Sequence, residues 1–210
     1  MTLKDLSYAK KRKIILTSIA VISFTMMILL SIALIFITYN QSLLSSHTVQ
    51  LKKAETYAEQ VSSTQKNGVV FVGDSIFEMY NLNKHFRGKN YINRGISSNE
   101  SIDVLNRLQT NVIDLAPKII ILHVGTNDIG HKVTSENYLL NMSKIIDKIK
   151  TELPDSYLFI DSIYPTRRLN NFNSMNLTKT RDNTAIKNMN TKLINLCDTK
   201  NVQFINTHKL

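Results

Sequence analysis

The sequence predicts an α/β domain built on a five-stranded parallel sheet covered by helices, preceded by one transmembrane helix. Three observations carry this. From Gly68 onward, short apolar runs alternate with helical patterns. The run Ile119–Val124 is apolar nearly throughout, as in strands buried on both faces. Ahead of the domain, Ile14–Ile37 passes 24 residues without a charge.

That charge-free run is long enough to cross a bilayer, at about 36 Å for 1.5 Å rise per residue. Its Ser and Thr are tolerated by helices in lipid. A cleaved signal peptide is the competing reading. Its apolar core is normally shorter and ends at a small-residue site, whereas this run exits through Phe36-Ile37-Thr38-Tyr39-Asn40. Lys4, Lys10, Lys11, Arg12 and Lys13 against Asp5 leave +4 in residues 1–13. The positive-inside rule then keeps the N-terminus cytoplasmic and turns everything after residue 40 outward. The expected organisation is a basic cytoplasmic N-terminus (1–13), a transmembrane anchor (14–39), a juxtamembrane helical linker (40–67) and an α/β domain (68–210). Within the linker, Leu44, His47, Leu51, Ala54, Ala58 and Val61 recur every three or four residues. This 44–61 seam suits weak self-association or packing on the domain, being shorter than most coiled coils.

Strands are expected at 69–72, 90–92, 118–124, 157–162 and 202–206. Helices are expected near 76–84, 98–114, 135–152 and 181–199. Ser97, Ser98 and Asn99 are candidate caps for the second helix. Tyr138, Leu139, Met142, Ile145, Ile146 and Ile149 make an apolar stripe on the third. A polar loop through Pro165 to about Thr180 precedes the fourth.

The net charge of +10 is concentrated at the N-terminus, with no Arg-rich stripe and no interleaved aromatics, which argues against nucleic-acid binding. The single cysteine, Cys197, excludes an intramolecular disulfide and falls in an apolar helical pattern. His47, His85, His123, His131 and His208 are scattered, without metal-ligand spacing.

Chemistry concentrates in three short segments, each at the end of a strand: Gly73-Asp74-Ser75, Asn93-Arg94-Gly95 and Gly125-Thr126-Asn127-Asp128. Strand ends in a parallel sheet gather at one edge, where ligands bind. Ser75, in a turn opening a helix, presents a hydroxyl where the helix terminus favours anions. Its plainer reading is a helix N-cap. Asp74 reads as a turn or capping residue. Gly95 lets a backbone N–H approach a ligand, or is simply a loop glycine. The Asn127 amide can donate to an oxyanion, or stabilise its own turn. Together the three can attack an ester and hold the resulting oxyanion.

Val70-Phe71-Val72-Gly73-Asp74-Ser75, Asn93-Arg94-Gly95-Ile96-Ser97 and Val124-Gly125-Thr126-Asn127-Asp128 resemble the first three blocks of SGNH hydrolases, the GDSL esterases/lipases. The platelet-activating-factor acetylhydrolase-like and bacterial acyl-esterase branch is the most similar. The resemblance covers residues 68–210 and continues through Pro117-Lys118, Ser162-Ile163-Tyr164-Pro165 and Asn190. It implies a flavodoxin-like three-layer α/β/α sandwich, Ser75 as nucleophile, an oxyanion hole from Ser75 N–H, Gly95 N–H and the Asn127 amide, and no cofactor or metal.

The family's fourth block is Asp-x-x-His just past the last strand, supplying the base. Here the tail reads Asn206-Thr207-His208-Lys209-Leu210, with Ile205 three residues before His208. A truncated domain is the leading expectation. A base from a partner chain, or His131 or His208 acting as substitute, are the alternatives. His123, inside a strand, reads as a hydrogen-bonded core residue. The expected function is a single-pass, membrane-anchored, extracytoplasmic serine esterase. It would remove acyl, especially acetyl, groups from envelope carbohydrate or lipid. A catalytically inactive binding module on the same fold is the rival.

Overall fold

The computed structural model describes residues 3–64, 66–86, 90–166 and 181–207. The chain divides into two compact units, residues 1–49 and 50–210. The described residues of the first lie within one uninterrupted helix, α1 (Leu3–Glu59), whose last turns belong to the second unit. By length and composition, α1 from Lys10 is apolar enough to cross a membrane, and the side chains of Ile14–Ile37 are exposed. Four of the hydroxyls in residues 14–39 are satisfied within the helix. Thr17, Thr25 and Thr38 donate to the carbonyls of Ile14, Ile22 and Ile35 at 2.8–2.9 Å, and Ser31 to that of Met27. This back-bonding is how Ser and Thr sit in lipid without an unsatisfied polar group.

In the second unit the elements run β1 (Val69–Gly73), α2 (Ser75–Glu78), α3 (Leu82–His85), β2 (Tyr91–Gly95), α4 (Ser101–Asn106), α5 (Leu108–Asn111), a 3₁₀ turn (Ile113–Leu115) and β3 (Ile119–His123). They continue with α6 (Thr126–Gly130), α7 (Ser135–Glu152), β4 (Tyr157–Asp161), α8 (Asn183–Lys200) and β5 (Gln203–Ile205). All five strands are parallel, in the order β2-β1-β3-β4-β5. This is the flavodoxin-like order, with the strand sequence reversing between β1 and β3. The five-stranded parallel α/β architecture expected from the sequence is therefore present.

Strand alternation sends Val70, Val72, Ile120, Leu122, Leu158 and Ile160 to one face. There they meet Val104, Leu108, Ile186, Leu193 and the α7 stripe Tyr138, Met142, Ile145, Ile146 and Ile149, all buried. On the other face Phe71, Phe77 and Leu82 form a smaller cluster, with the Phe71 and Phe77 rings edge-to-face at 5.4 Å. Among the described residues, α2 and α3 pack on this face, over β1 and β2. Ile119, Ile121, Phe159 and Ile205 on the same face are only half-buried, so the apolar run of β3 is fully covered on one side alone.

Two helices expected as continuous are broken. The 76–84 helix divides into α2 and α3, because Asn81 leaves the helical conformation and caps α3 through Lys84 N–H. The 98–114 helix becomes α4, α5 and the 3₁₀ turn. Its cap is Glu100, in a reciprocal capping box with Asp103, and none of Ser97, Ser98 or Asn99. Ser98 has φ 63° and so turns the chain, while Asn99 spends its side chain elsewhere. Asn93, Arg94 and Gly95 lie within β2 rather than after it. The 165–180 loop falls mostly outside the described residues.

Candidate active site

The strand order decides where the three segments lie. β1 is flanked by β2 and β3, so Ser75, Gly95 and Asn127 follow or end three adjacent strands at one edge. In register, Gly73 stands opposite both Gly95 and His123. A Cβ on Gly73 would lie 1.8 Å from the His123 carbonyl oxygen, so only glycine lets β1 turn out here.

Ser75 is the first helical residue of α2, and Asp74 is the cap: its carboxylate accepts from Ile76 N–H at 2.9 Å. The capping explanation of Ser75 therefore falls away. Ser75 is half-buried, and its hydroxyl makes no hydrogen bond among the described residues. Asp74 is buried, its Oδ2 unpartnered, and its carboxyl is raised above the usual range. Burial dominates that rise, opposed by nearby His123, the Ile76 N–H and Arg181.

Gly95 packs directly on α2. A Cβ there would come within 2.2 Å of Glu78 N and 2.7 Å of Phe77 C. Its N–H donates to Asn93 Oδ1 at 2.9 Å, and its carbonyl accepts from the Tyr57 hydroxyl at 3.2 Å. Asn127 sits in the first turn of α6, after Gly125 at φ 138°. Its Nδ2 donates to the Asn99 carbonyl at 2.9 Å, and its Oδ1 accepts from Arg181 at 2.9 Å. One of the two amide hydrogens is thus committed, and the carboxamide is held at both ends.

Several residues that bind this edge together have no role expected from the sequence: Arg107 is unmarked, and Asp128 and Asn190 stand out only as members of motifs. Arg107, buried on α4–α5, donates to the Gly73 carbonyl at 3.0 Å and to Asn99 Oδ1 at 2.8 Å. One guanidinium thereby joins the strand before Ser75 to the residue that holds Asn127. Burial lowers its pKa to about 10. Asp128, also buried, accepts from the Ser101 N–H and hydroxyl, which fastens α6 to the start of α4. Burial lifts its carboxyl to about 6. Asn190 brackets Ile163 with two hydrogen bonds, at 2.8 Å to N–H and 2.9 Å from Nδ2 to C=O. None of these pairings has a local sequence signal beyond the polar residue itself.

The histidines divide by position. His131 is largely exposed and pairs through Nδ1 with Glu100 at 2.5 Å. Asp128 and His131 do have Asp-x-x-His spacing, but they form no dyad: the carboxylate is buried on Ser101 while the imidazole faces Glu100. His123 is fully buried beside Asp161, with Nδ1 3.4 Å from Oδ2, and between the rings of Tyr164 (4.3 Å) and Phe77 (5.4 Å). Neither ring nitrogen has a hydrogen bond, contrary to the hydrogen-bonded core residue expected. The Asp161 oxygens are taken by the Tyr164 and Thr207 hydroxyls. His208 lies outside the described residues. Among the described residues, no group of three His, Cys, Asp or Glu side chains is placed to hold a metal.

Residues 71–210, two-thirds of the chain, match the GDSL-like Lipase/Acylhydrolase family, and the chain belongs to it. Among solved structures it is similar to one described as a platelet activating factor from Streptococcus pneumonia. The TM-score is 0.70 at 29% identity, over 76% of this chain and 75% of that one. A platelet-activating factor acetylhydrolase IB subunit beta homolog from Drosophila melanogaster is 35% identical over 104 residues, 46% of this chain and 44% of the relative. The chain thus spans less than half the length of that curated relative. An acetylxylan esterase from Geobacillus stearothermophilus shares the fold, with a TM-score of 0.55 at 14% identity over 70% of this chain and 78% of that one.

Proposed function

We propose that the chain is a serine ester hydrolase anchored in a membrane by residues 14–39, with its N-terminus cytoplasmic and its hydrolase domain outside. Ser75 is the nucleophile, and the Ser75 N–H, the Gly95 N–H and the Asn127 amide receive the oxyanion. The observation that carries this is the free hydroxyl of Ser75: Asp74 does the capping, leaving the serine at a helix start with no structural hydrogen bond to keep. The Ser75 oxygen bonds to the acyl carbon, the alcohol leaves with the proton, and water releases the acid in a second step. An oxyanion takes the place of Asn93 Oδ1 as the acceptor of the Gly95 N–H, a charged acceptor displacing a neutral one. The held Asn127 amide keeps one hydrogen for the same oxygen.

Relatives whose names specify an acetylhydrolase and an acetylxylan esterase support acetyl as the acyl group. An outward-facing domain supports an envelope carbohydrate or lipid as acceptor. The test is hydrolysis of p-nitrophenyl acetate by the full chain in detergent micelles. Ser75→Ala is expected to abolish turnover above background; equal rates in both forms refute serine chemistry. One observation favours the binding-module reading: among the described residues, no imidazole hydrogen-bonds to Ser75. A fluorophosphonate probe separates the two, since labelling at Ser75 requires an activated hydroxyl.

A further inference from the structure

We infer that the last turns of α1 are part of this site, with Tyr57 and the Lys53–Glu78 ion pair acting as positioning residues for the Gly95–Ser97 loop. The inference rests on the assignment of Ser75 and Gly95 to acyl chemistry, but its physical content is separate.

Five contacts converge. Lys53 pairs with Glu78, which lies on the short helix that Ser75 begins. The other Glu78 oxygen accepts the Ser97 N–H. Burial would raise this carboxyl, yet Lys53 and the Ser97 donors hold it below the usual range, so it stays ionised as the bridge between them. Tyr57 donates to the Gly95 carbonyl, and the buried Arg94 guanidinium lies 4.6 Å above its ring. The chain position before Gly68 is fixed too: Asn111 Nδ2 donates to the Ala54 carbonyl at 3.0 Å.

The consequence is specific to one peptide unit. The Gly95–Ile96 peptide has its carbonyl held by Tyr57 and its N–H held by the Gly73 carbonyl at 3.0 Å. The next N–H, that of Ser97, is held by Glu78. Glu78 therefore ties the helix carrying the nucleophile to the segment just after Gly95, the strand end carrying the oxyanion donor, and the last turns of α1 anchor both. Oxyanion donors act through preorganisation, so releasing this loop weakens the step that develops charge more than it weakens substrate binding. Glu78 and Tyr57 touch no reacting atom and act through Gly95.

The experiment uses the full chain in detergent micelles, as wild type, Tyr57→Phe, Glu78→Gln and Lys53→Arg. Amide hydrogen exchange is followed by mass spectrometry in peptides across 93–99 and, for comparison, 119–124. Glu78→Gln is expected to speed exchange at 93–99 about tenfold with 119–124 unchanged, Tyr57→Phe several-fold, and Lys53→Arg not at all. Unchanged exchange at 93–99 in both Tyr57→Phe and Glu78→Gln overturns the inference. So does a uniform increase across both regions, which would mean a general loss of stability. Fluorophosphonate labelling of Ser75 is the second readout. No labelling in the wild type sinks the acyl-chemistry reading while the exchange result still decides the clamp. With labelling present, Glu78→Gln is expected to react about tenfold more slowly, and an unchanged rate overturns the positioning role.

Discussion

Asp128 makes the folded protein less stable as pH rises through the range just above 4. Its side chain is fully buried beside Asn127, where the Ser101 N–H and hydroxyl are its donors. Burial raises its pKa, and the neighbouring Glu100 adds to the rise; together they outweigh the Ser101 donors, and the value moves from 3.8 to about 6. Between those values the native state holds a proton that the unfolded chain has released. Stability then falls with rising pH, and the loss is complete above pH 6. At 1.36 kcal/mol per pKa unit the rise corresponds to about 3 kcal/mol. Replacing Asp128 with Asn removes this dependence while keeping an acceptor for Ser101 N–H. Urea unfolding of the full chain, followed by circular dichroism at pH 4, 5, 6 and 7, measures the difference between variant and wild type. Asp74, which is also raised, is present in both and cancels. Part of the loss is already present at pH 4, so the expected result is a variant whose relative stability improves by about 2 kcal/mol from pH 4 to 7. A flat difference, or one that moves the other way, refutes the reasoning.

Two further outcomes follow from packing. Gly95→Ala drives a methyl into the backbone of Phe77 and Glu78. Overpacking of this kind costs about 1–3 kcal/mol. It also displaces α2, so thermal melting should fall and phosphonate labelling of Ser75 should disappear even below the melting transition; wild-type behaviour on both counts would contradict the packing. Cys197 is fully buried and its thiol is pushed up to about 12. Iodoacetamide at pH 8 should leave it unmodified in the folded protein and alkylate it promptly in urea. Equal rates in the two states would show that α8 does not shield it.

The amino-acid sequence by itself determined the element types and the candidate chemistry. The α7 stripe from Tyr138 to Ile149, the charge-free run from Ile14 to Ile37 and the apolar strands are local patterns, and each formed the element its periodicity implied. Ser75, Gly95 and Asn127 were legible for a similar reason, because a hydroxyl, a glycine and an amide directly after apolar runs stand out along the chain. Helix breaks were less legible. Asn81 and Ser98 interrupt helical patterns through turn conformations that compete closely with helix in energy.

What only the tertiary structure decided was which groups are spoken for. Asp74 rather than Ser75 caps α2, so the hydroxyl is left over. Arg107 reaches Gly73 across 34 residues, Arg181 reaches Asn127 across 54, and Tyr57 reaches Gly95 across 38. A guanidinium or phenol carries no local sign of its partner. Its bond depends on parallel strand order placing β1 between β2 and β3, and on helix packing that brings distant segments to 2.9–3.2 Å. Periodicity reports which face of an element is apolar; the pairing of polar groups across that packed edge exists only once the chain has folded.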